Sequence, residues 1–286
     1  NAIVTEILPE GSRGKVFGRY RVSGTLGYAL AAGLIGLVTG RFGISAVFVI
    51  AAIFVGFSGV TAIFLKESGF KTADKKVPES SGGNQATFKD SLGTILATGF
   101  IWILIADLVS TIGLQTASPF QNIYYQDVLQ ISEGQIGTLA MIAVLAEIPA
   151  MLLLTPLSDR VGRLPVILIT YLVPAIVFLI IYFSTDYLGL ILAHSLLGLS
   201  IVRYTVGAAL ITDWFPRNLR GTILGAQAIT FGVGGFIAPS LGGVLAEFSG
   251  IQLVFIVASV LNFVAAGIFI ISSRYNQQEY KPVEII

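Results

Sequence analysis

Long apolar runs constrain this chain more than any other feature of its sequence. A helix needs about 20 consecutive apolar residues to cross the hydrocarbon core of a bilayer. Eight stretches approach or exceed that length, at 17–39, 44–65, 93–118, 134–157, 164–184, 187–210, 221–246 and 251–273. Charged residues make up only 12% of the 286, which is too few to cover the surface of a soluble protein. The sequence therefore predicts an all-α membrane protein with eight transmembrane helices.

The basic residues of the connecting segments lie almost entirely on one side of the predicted membrane. When the connections alternate between sides, that side receives Arg13, Lys15, Arg19, Arg21, Lys66, Lys71, Lys75, Lys76, Lys89, Arg160, Arg163, Arg217, Arg220, Arg274 and Lys281. The other side has Arg41 alone among basic residues. Because cytoplasmic loops carry an excess of Lys and Arg, we expect a protein of the cell membrane whose central linker and C-terminus are cytoplasmic.

An internal repeat relates the two ends of the chain. At an offset of 207 positions and without a gap, the aligned pairs are Pro9 and Pro216, Arg13 and Arg220, Gly18 and Gly225, Gly27 and Gly234, and Gly43 and Gly250. Matches of Gly are common among membrane helices. An ungapped register across two helices and their loops is not, and it predicts a duplication.

The repeat divides the chain into four parts. Residues 1–65 are predicted to end an N-terminal six-helix half, and 92–273 to form a complete C-terminal half. Between them, 66–91 is rich in Lys, Ser and Gly, which is typical of a flexible linker. Residues 274–286 would be a cytoplasmic tail. Because 88–207, a stretch of 120 residues, has no counterpart in the first part, we expect the rest of the first half upstream of Asn1.

A short charged motif follows the second helix of the predicted complete half. Residues 155–165 read TPLSDRVGRLP. This resembles G-x-x-x-D-R-x-G-R-[KR], the signature that the major facilitator superfamily of secondary transporters carries between the second and third helices of a half. The matching positions are Asp159, Arg160, Gly162 and Arg163, and the departures are Thr155 for the first Gly and Leu164 for the last basic residue.

The resemblance implies two six-helix halves that rock against each other, so that a midplane site opens alternately to one side of the membrane and to the other. In this family the first and fourth helices of each half line the central cavity. Gly162 would permit the tight turn, and the two arginines would contact anionic lipid. We expect Asp159 to form a gating contact with the helix that begins near Phe17, close to Arg13. The alternative is a turn that only sets topology.

Small residues recur on the two repeated helices. The positions of interest are Gly18, Gly27, Gly225, Gly234, Pro239 and Gly243. They are similar to G-x8-G-x3-G-P-x2-G-G, a pattern of the drug-antiporter branch of the superfamily, although the first copy lacks the Pro and one Gly. Because small residues let helices pack closely in lipid, the pattern favours helix packing over an antiporter.

Ionisable residues inside the apolar runs are the clearest candidates for a transport site, because an unpaired charge is costly at mid-bilayer. Asp107 and Glu147 lie near the middle of their predicted helices, Arg203 lies toward a cytoplasmic end and His194 toward an outer end. We expect Asp107 or Glu147 to carry a proton, and Arg203 to be a counter-charge or to bind an anionic substrate group. His194 is a candidate for a proton role.

Each of these residues also has a structural explanation. The two carboxylates could have a purely structural role, as hydrogen-bond partners of a neighbouring helix. Arg203 could extend to the cytoplasmic headgroups, and His194 could lie near the outer face in a hydrogen bond. Gln115, Gln227 and Tyr124 are weaker candidates for lining the substrate path, since nothing in the sequence separates that role from packing.

Three classes of membrane protein remain to be compared. An enzyme requires a cluster of catalytic groups, and this chain has one histidine and no cysteine. A channel more often has a filter loop or rings of charge. We therefore expect a secondary transporter of a small organic solute that works by alternating access. It would be proton-coupled, as a symporter of a metabolite or sugar-like solute. The alternative is a proton-coupled multidrug efflux antiporter, and a membrane enzyme is a remote alternative. Lipid, solute and protons are the expected partners of a monomer, with no nucleic acid, cofactor or metal.

Overall fold

The computed structural model describes residues 24–28, 30–31, 38, 41–64, 93, 99–215 and 217–279. Within them every regular element is helical. The helices are α1 Ile44–Phe64, α2 Phe100–Ile123, α3 Glu133–Val161, α4 Arg163–Phe183, α5 Tyr187–Leu197, α6 Val202–Trp214, α7 Arg217–Ser249 and α8 Ile251–Glu279. A π turn, Tyr124–Val128, extends α2, and a 3-10 turn, Gly198–Ile201, joins α5 to α6.

Six of the described helical segments are long and apolar enough to cross a membrane. They are Phe100–Val128, Glu133–Val161, Arg163–Phe183, Tyr187–Trp214, Leu219–Ser249 and Ile251–Ser273. The all-α membrane fold is thus confirmed. The predicted count of eight is higher than these six, and the predicted span 44–65 corresponds to the 21-residue helix α1. The predicted span 17–39 lies mostly outside the described residues.

The first helix of the predicted complete half is longer than its apolar pattern indicates. The sequence predicts its end at residue 118, but α2 continues to Ile123 and its π turn to Val128. The polar residues that imitate a helix end, Gln115 and Ser118, line a cleft inside the bundle instead. Backbone groups in a membrane must be satisfied within the segment, which favours continuing the helix past Pro119.

Local signals set the ends of the other helices. Before α3, the Ser132 hydroxyl accepts from the Gln135 N–H while the Gln135 side chain accepts from the Ser132 N–H, a reciprocal cap. Asp186 caps α5 by accepting from the Gly189 N–H at 2.9 Å. Between α3 and α4, Gly162 has φ 95°, a conformation that only glycine adopts without strain.

Helix α2 lies at the centre of the described bundle, packed against α7 and α8, and α8 also packs on α4. Two clusters of buried side chains fill the interior. One contains Phe100, Tyr171, Phe215 and Phe269, and the other contains Tyr124, Tyr125, Phe178 and Phe255. Outward-facing aromatic and aliphatic residues such as Phe236 and Phe248 are exposed, as expected of helices whose solvent is lipid.

The two repeat copies share one local feature, a glycine with positive φ directly before a helix. Gly43 has φ 75° and Gly250 has φ 84°, and each immediately precedes a helix, at Ile44 and Ile251. These two glycines are paired by the offset of 207. The duplication itself stays a prediction, because most of the first copy lies outside the described residues.

Candidate functional site

A buried pair of opposite charges joins α2 to α6. The Asp107 Oδ1 and the Arg203 Nε are 3.7 Å apart, and the two side chains are only 7% and 3% exposed. Isolated buried charges are very costly, so each of these compensates the other. The sequence predicted both residues as site candidates, and the structure brings them together.

Two further side chains donate hydrogen bonds to the Asp107 carboxylate. The Tyr171 hydroxyl of α4 donates to Oδ1 at 2.7 Å, and the Gln227 Nε2 of α7 donates to Oδ2 at 2.9 Å. Both oxygens therefore act as acceptors, which suits an ionised carboxylate. Gln227, a weak candidate for the substrate path, is in contact with the central charge.

The guanidinium of Arg203 has its own set of partners. Its Nη1 donates to the Ser110 Oγ at 2.6 Å, and that hydroxyl donates to the Asn262 Oδ1 at 2.7 Å. The guanidinium also lies over the rings of Tyr171 and Tyr204, at 5.0 and 5.6 Å from their centroids, a distance at which cation–π attraction operates. The Nε of Arg203 has no hydrogen-bond partner among the described residues.

The order of donors in this network is determined by chemistry. Arginine only donates, so Ser110 must accept from it and has its single proton left for the Asn262 oxygen. The Asn262 Nδ2 in turn donates to the Ala258 carbonyl at 2.8 Å. We name the set Asp107, Ser110, Tyr171, Arg203, Gln227 and Asn262 the charge network; it joins α2, α4, α6, α7 and α8.

Removing the Ser110 hydroxyl tests this order. Ser110→Ala is expected to lower the free energy of unfolding by about 1–3 kcal/mol, because it removes the hydroxyl that bonds both the buried Arg203 Nη1 and the buried Asn262 Oδ1. Thermal unfolding in detergent measures the change. Ser195→Ala is the matched control, since the Ser195 hydroxyl donates to the Ile191 carbonyl of its own helix. Equal melting temperatures for the two variants would contradict the network.

A cleft of about 140 Å³ adjoins the charge network. Its lining residues are Thr111, Leu114, Gln115, Ser118, Gln121, Phe178, Leu197, Tyr204 and Phe231. The ring of Tyr204, which lines the cleft, lies 5.6 Å from the Arg203 guanidinium, so the cleft lies beside the charge pair. Gln115 was predicted to line the substrate path, and the structure places it in this wall.

Glu147 and His194 lie elsewhere. Glu147 in α3 is partly buried, and its Oε2 accepts from the Thr25 hydroxyl at 3.4 Å. The His194 Nε2 is 3.1 Å from the hydroxyl of Tyr125, and both residues are buried. Tyr124 is also buried and packs against Phe255, so it does not line the cleft.

The signature motif forms a cluster at one end of the bundle. Asp159 and Arg160 belong to the last turn of α3, which runs through Val161. Arg163, just past Gly162, pairs with Asp159 and contacts Asp213 of α6 at 3.2 Å. The cluster thus links the α3–α4 turn to the end of α6. The expected gating contact near Phe17 and Arg13 lies outside the described residues.

The predicted packing glycines differ in their surroundings. A Cβ on Gly234 would lie 2.8 Å from the Thr111 Cγ2 of α2, so this glycine permits close approach. A Cβ on Gly27, Gly225 or Gly243 would meet nothing within 4 Å. Pro239 lies inside α7, and Gly18 lies outside the described residues.

Several members of the site were not predicted from the sequence. Tyr171, Ser110 and Asn262 are single polar residues within apolar helices, where a hydroxyl or amide is too common to be diagnostic. Gln121 was also missed. A usable signal was present in α2, where Asp107, Ser110, Thr111, Gln115 and Ser118 recur at the spacing of one helix face.

The helical bundle, with its buried charges beside a cleft, defines a polytopic membrane protein with a polar interior site. The Major Facilitator Superfamily matches residues 1–129 and 103–283, so the chain belongs to that superfamily, which is one of transporters rather than enzymes. This confirms the family that the signature motif indicated.

Three relatives illustrate the likeness. The chain is 28% identical to the class H tetracycline resistance protein of Pasteurella multocida over 62% of this chain and 45% of the relative. It is 22% identical to a putative sugar efflux transporter of Deinococcus radiodurans over 83% of this chain and 59% of the relative. It is 31% identical to multidrug resistance protein MdtG of Proteus mirabilis over 44% of this chain and 31% of the relative. The chain thus spans less than two thirds of each of these relatives.

Proposed function

We propose that the protein is a secondary active transporter that exports a small organic solute by alternating access, coupled to proton entry. The observation that carries the proposal is the buried Asp107–Arg203 pair beside a cleft in a chain of this superfamily. The printed names of relatives, which include sugar efflux and multidrug resistance, favour export over uptake. The order of the two transport modes considered from the sequence is therefore reversed.

Asp107 is the proton carrier in this proposal. Protonation would neutralise the carboxylate and turn it from an acceptor into a donor, so Arg203 would be left as a buried charge without compensation. The protein can respond by moving α6 relative to α2 or by admitting water to Arg203. The 3-10 turn Gly198–Ile201 directly precedes Val202 and Arg203, and such a turn within a helix often marks a hinge. Proton binding would thus be tied to helix movement.

Other features have supporting roles in the proposal. Glu147, in contact with Thr25, is the second candidate for a proton carrier. In this proposal the Asp159–Arg163–Asp213 cluster lies on the cytoplasmic side and gates the site, and the linker and the C-terminus are cytoplasmic. The protein acts as a monomer in lipid and requires only the solute and protons.

Transport in cells tests the proposal. Cells that express the full-length protein are loaded with tetracycline, ethidium or radiolabelled methyl β-D-glucoside, and accumulation is measured with and without a protonophore. We expect lower accumulation of at least one probe, because one pH unit is worth about 1.4 kcal/mol per proton and sustains about a tenfold concentration ratio. The protonophore should remove the difference. Equal accumulation in cells with and without the protein, or a difference that survives the protonophore, would contradict the proposal.

A further inference from the structure

The wall of the cleft consists of amide, hydroxyl, aromatic and aliphatic side chains. None of its nine residues is an Asp, Glu, Lys, Arg or His. We infer that the cleft binds an uncharged, ring-bearing solute that offers hydroxyl or carbonyl groups to the wall. This inference rests on the proposed function and specifies its substrate class.

The nearby charges of Asp107 and Arg203 are paired with each other and do not face the cleft as free charges. Asp107 is held by Arg203, Tyr171 and Gln227, and its side chain is 7% exposed. Arg203 is 3% exposed and lies against two tyrosine rings. A cationic or anionic solute in the cleft would lose its hydration without meeting a free opposite charge on the described wall, which is unfavourable.

Polar groups of α2 provide the hydrogen bonds for such a solute. Thr111, Gln115 and Ser118 lie on one face of the helix, and Gln121 continues that wall. The Gln121 Nε2 is buried and has no hydrogen-bond partner among the described residues. A buried amide without a partner is costly, and a hydroxyl or carbonyl oxygen of the solute would satisfy it.

Aromatic residues of three other helices also line the cleft. Tyr204 and Phe231 meet edge to face, with ring centroids 6.4 Å apart, and Phe178 completes the apolar surface. A cavity of about 150 Å³ accommodates one benzene ring, and this cleft has about 140 Å³. The size therefore suits a single ring placed against the aromatic residues, with its polar groups directed to α2.

A matched trio of probes isolates the effect of charge. The probes are radiolabelled methyl β-D-glucoside, the corresponding glucuronide and the corresponding 6-amino-6-deoxyglucoside, which differ at one carbon and are uncharged, anionic and cationic. Binding to the purified full-length protein in detergent is measured by equilibrium dialysis. We expect the Kd of the glucoside to be lower than that of either charged analogue by a factor of about ten or more. Equal or tighter binding of a charged analogue, or no binding of the glucoside, would overturn the inference.

Variants locate the binding. Gln121→Leu should weaken glucoside binding about threefold to tenfold, the value of one hydrogen bond, and Phe231→Leu, on another helix, should weaken it as well. Gln126→Leu is the control, because Gln126 is exposed beyond the cleft. Unchanged binding in monodisperse Gln121→Leu and Phe231→Leu proteins would refute the site. Binding needs no gradient, so selective binding without transport would overturn the proposed function and leave this inference standing.

Discussion

Asp107→Asn is expected to abolish transport driven by a proton gradient, to the level of vesicles without protein. Asparagine keeps the shape of the side chain but neither binds a proton nor balances the charge of Arg203. Because removal of one partner of a buried pair costs about 3–5 kcal/mol, the variant should also unfold at a lower temperature. Uptake or efflux under an imposed pH gradient in proteoliposomes measures the first effect, and thermal unfolding measures the second.

Two controls separate loss of coupling from loss of structure. The double variant Asp107→Asn/Arg203→Gln removes both charges, so we expect it to recover most of the stability and none of the gradient-driven transport. Glu147→Gln should keep gradient-driven transport, because Glu147 lies on α3 outside the charge network. If Asp107→Asn transported like the unmodified protein while Glu147→Gln failed, the proton carrier would be Glu147.

Gly242→Ala is expected to have the largest effect on folding among small substitutions in α7. A Cβ at this position would lie 2.5 Å from the Thr116 carbonyl oxygen and 2.6 Å from the Phe120 ring of α2. The carbonyl belongs to a helix backbone and cannot turn aside, so α2 and α7 must separate. Overpacking of this kind costs about 1–3 kcal/mol, and the melting temperature in detergent should fall by several degrees.

The adjacent glycine is the matched control. A Cβ on Gly243 would meet nothing within 4 Å, so Gly243→Ala should leave the melting temperature unchanged or raise it slightly, since alanine favours a helix over glycine. Equal destabilisation by both substitutions would contradict this explanation. It would mean that glycine is needed at both positions for the flexibility of α7 and not for the close contact between α2 and α7.

Much of the fold follows from the sequence because apolar runs have a direct physical meaning in a membrane. The last predicted span, 251–273, begins with α8 at Ile251, and the helix continues to Glu279. The end of α2 was predicted too early, because Gln115 and Ser118 resemble the polar residues of a helix end. Their actual environment is the cleft, and no local pattern distinguishes a cleft from solvent.

The site was predictable only in part. Asp107 and Arg203 were individually recognisable because charges are rare in apolar helices, whereas Gln227 was only a weak candidate. Their mutual contact depends on how α2, α6 and α7 are rotated, which the spacing along one helix does not determine. Asn262 illustrates the limit: its role arises from Ser110 on another helix, at 2.7 Å.

The most direct test of the account compares two modes of transport in proteoliposomes, with the probe that the cells export. The unmodified full-length protein should respond to an imposed pH gradient and should also exchange labelled for unlabelled solute without one. Asp107→Asn should keep the exchange and lose the response to the gradient, because the site remains while the proton carrier is gone. Equal gradient-driven transport by the two proteins, or transport by the unmodified protein that ignores the gradient, would contradict the account.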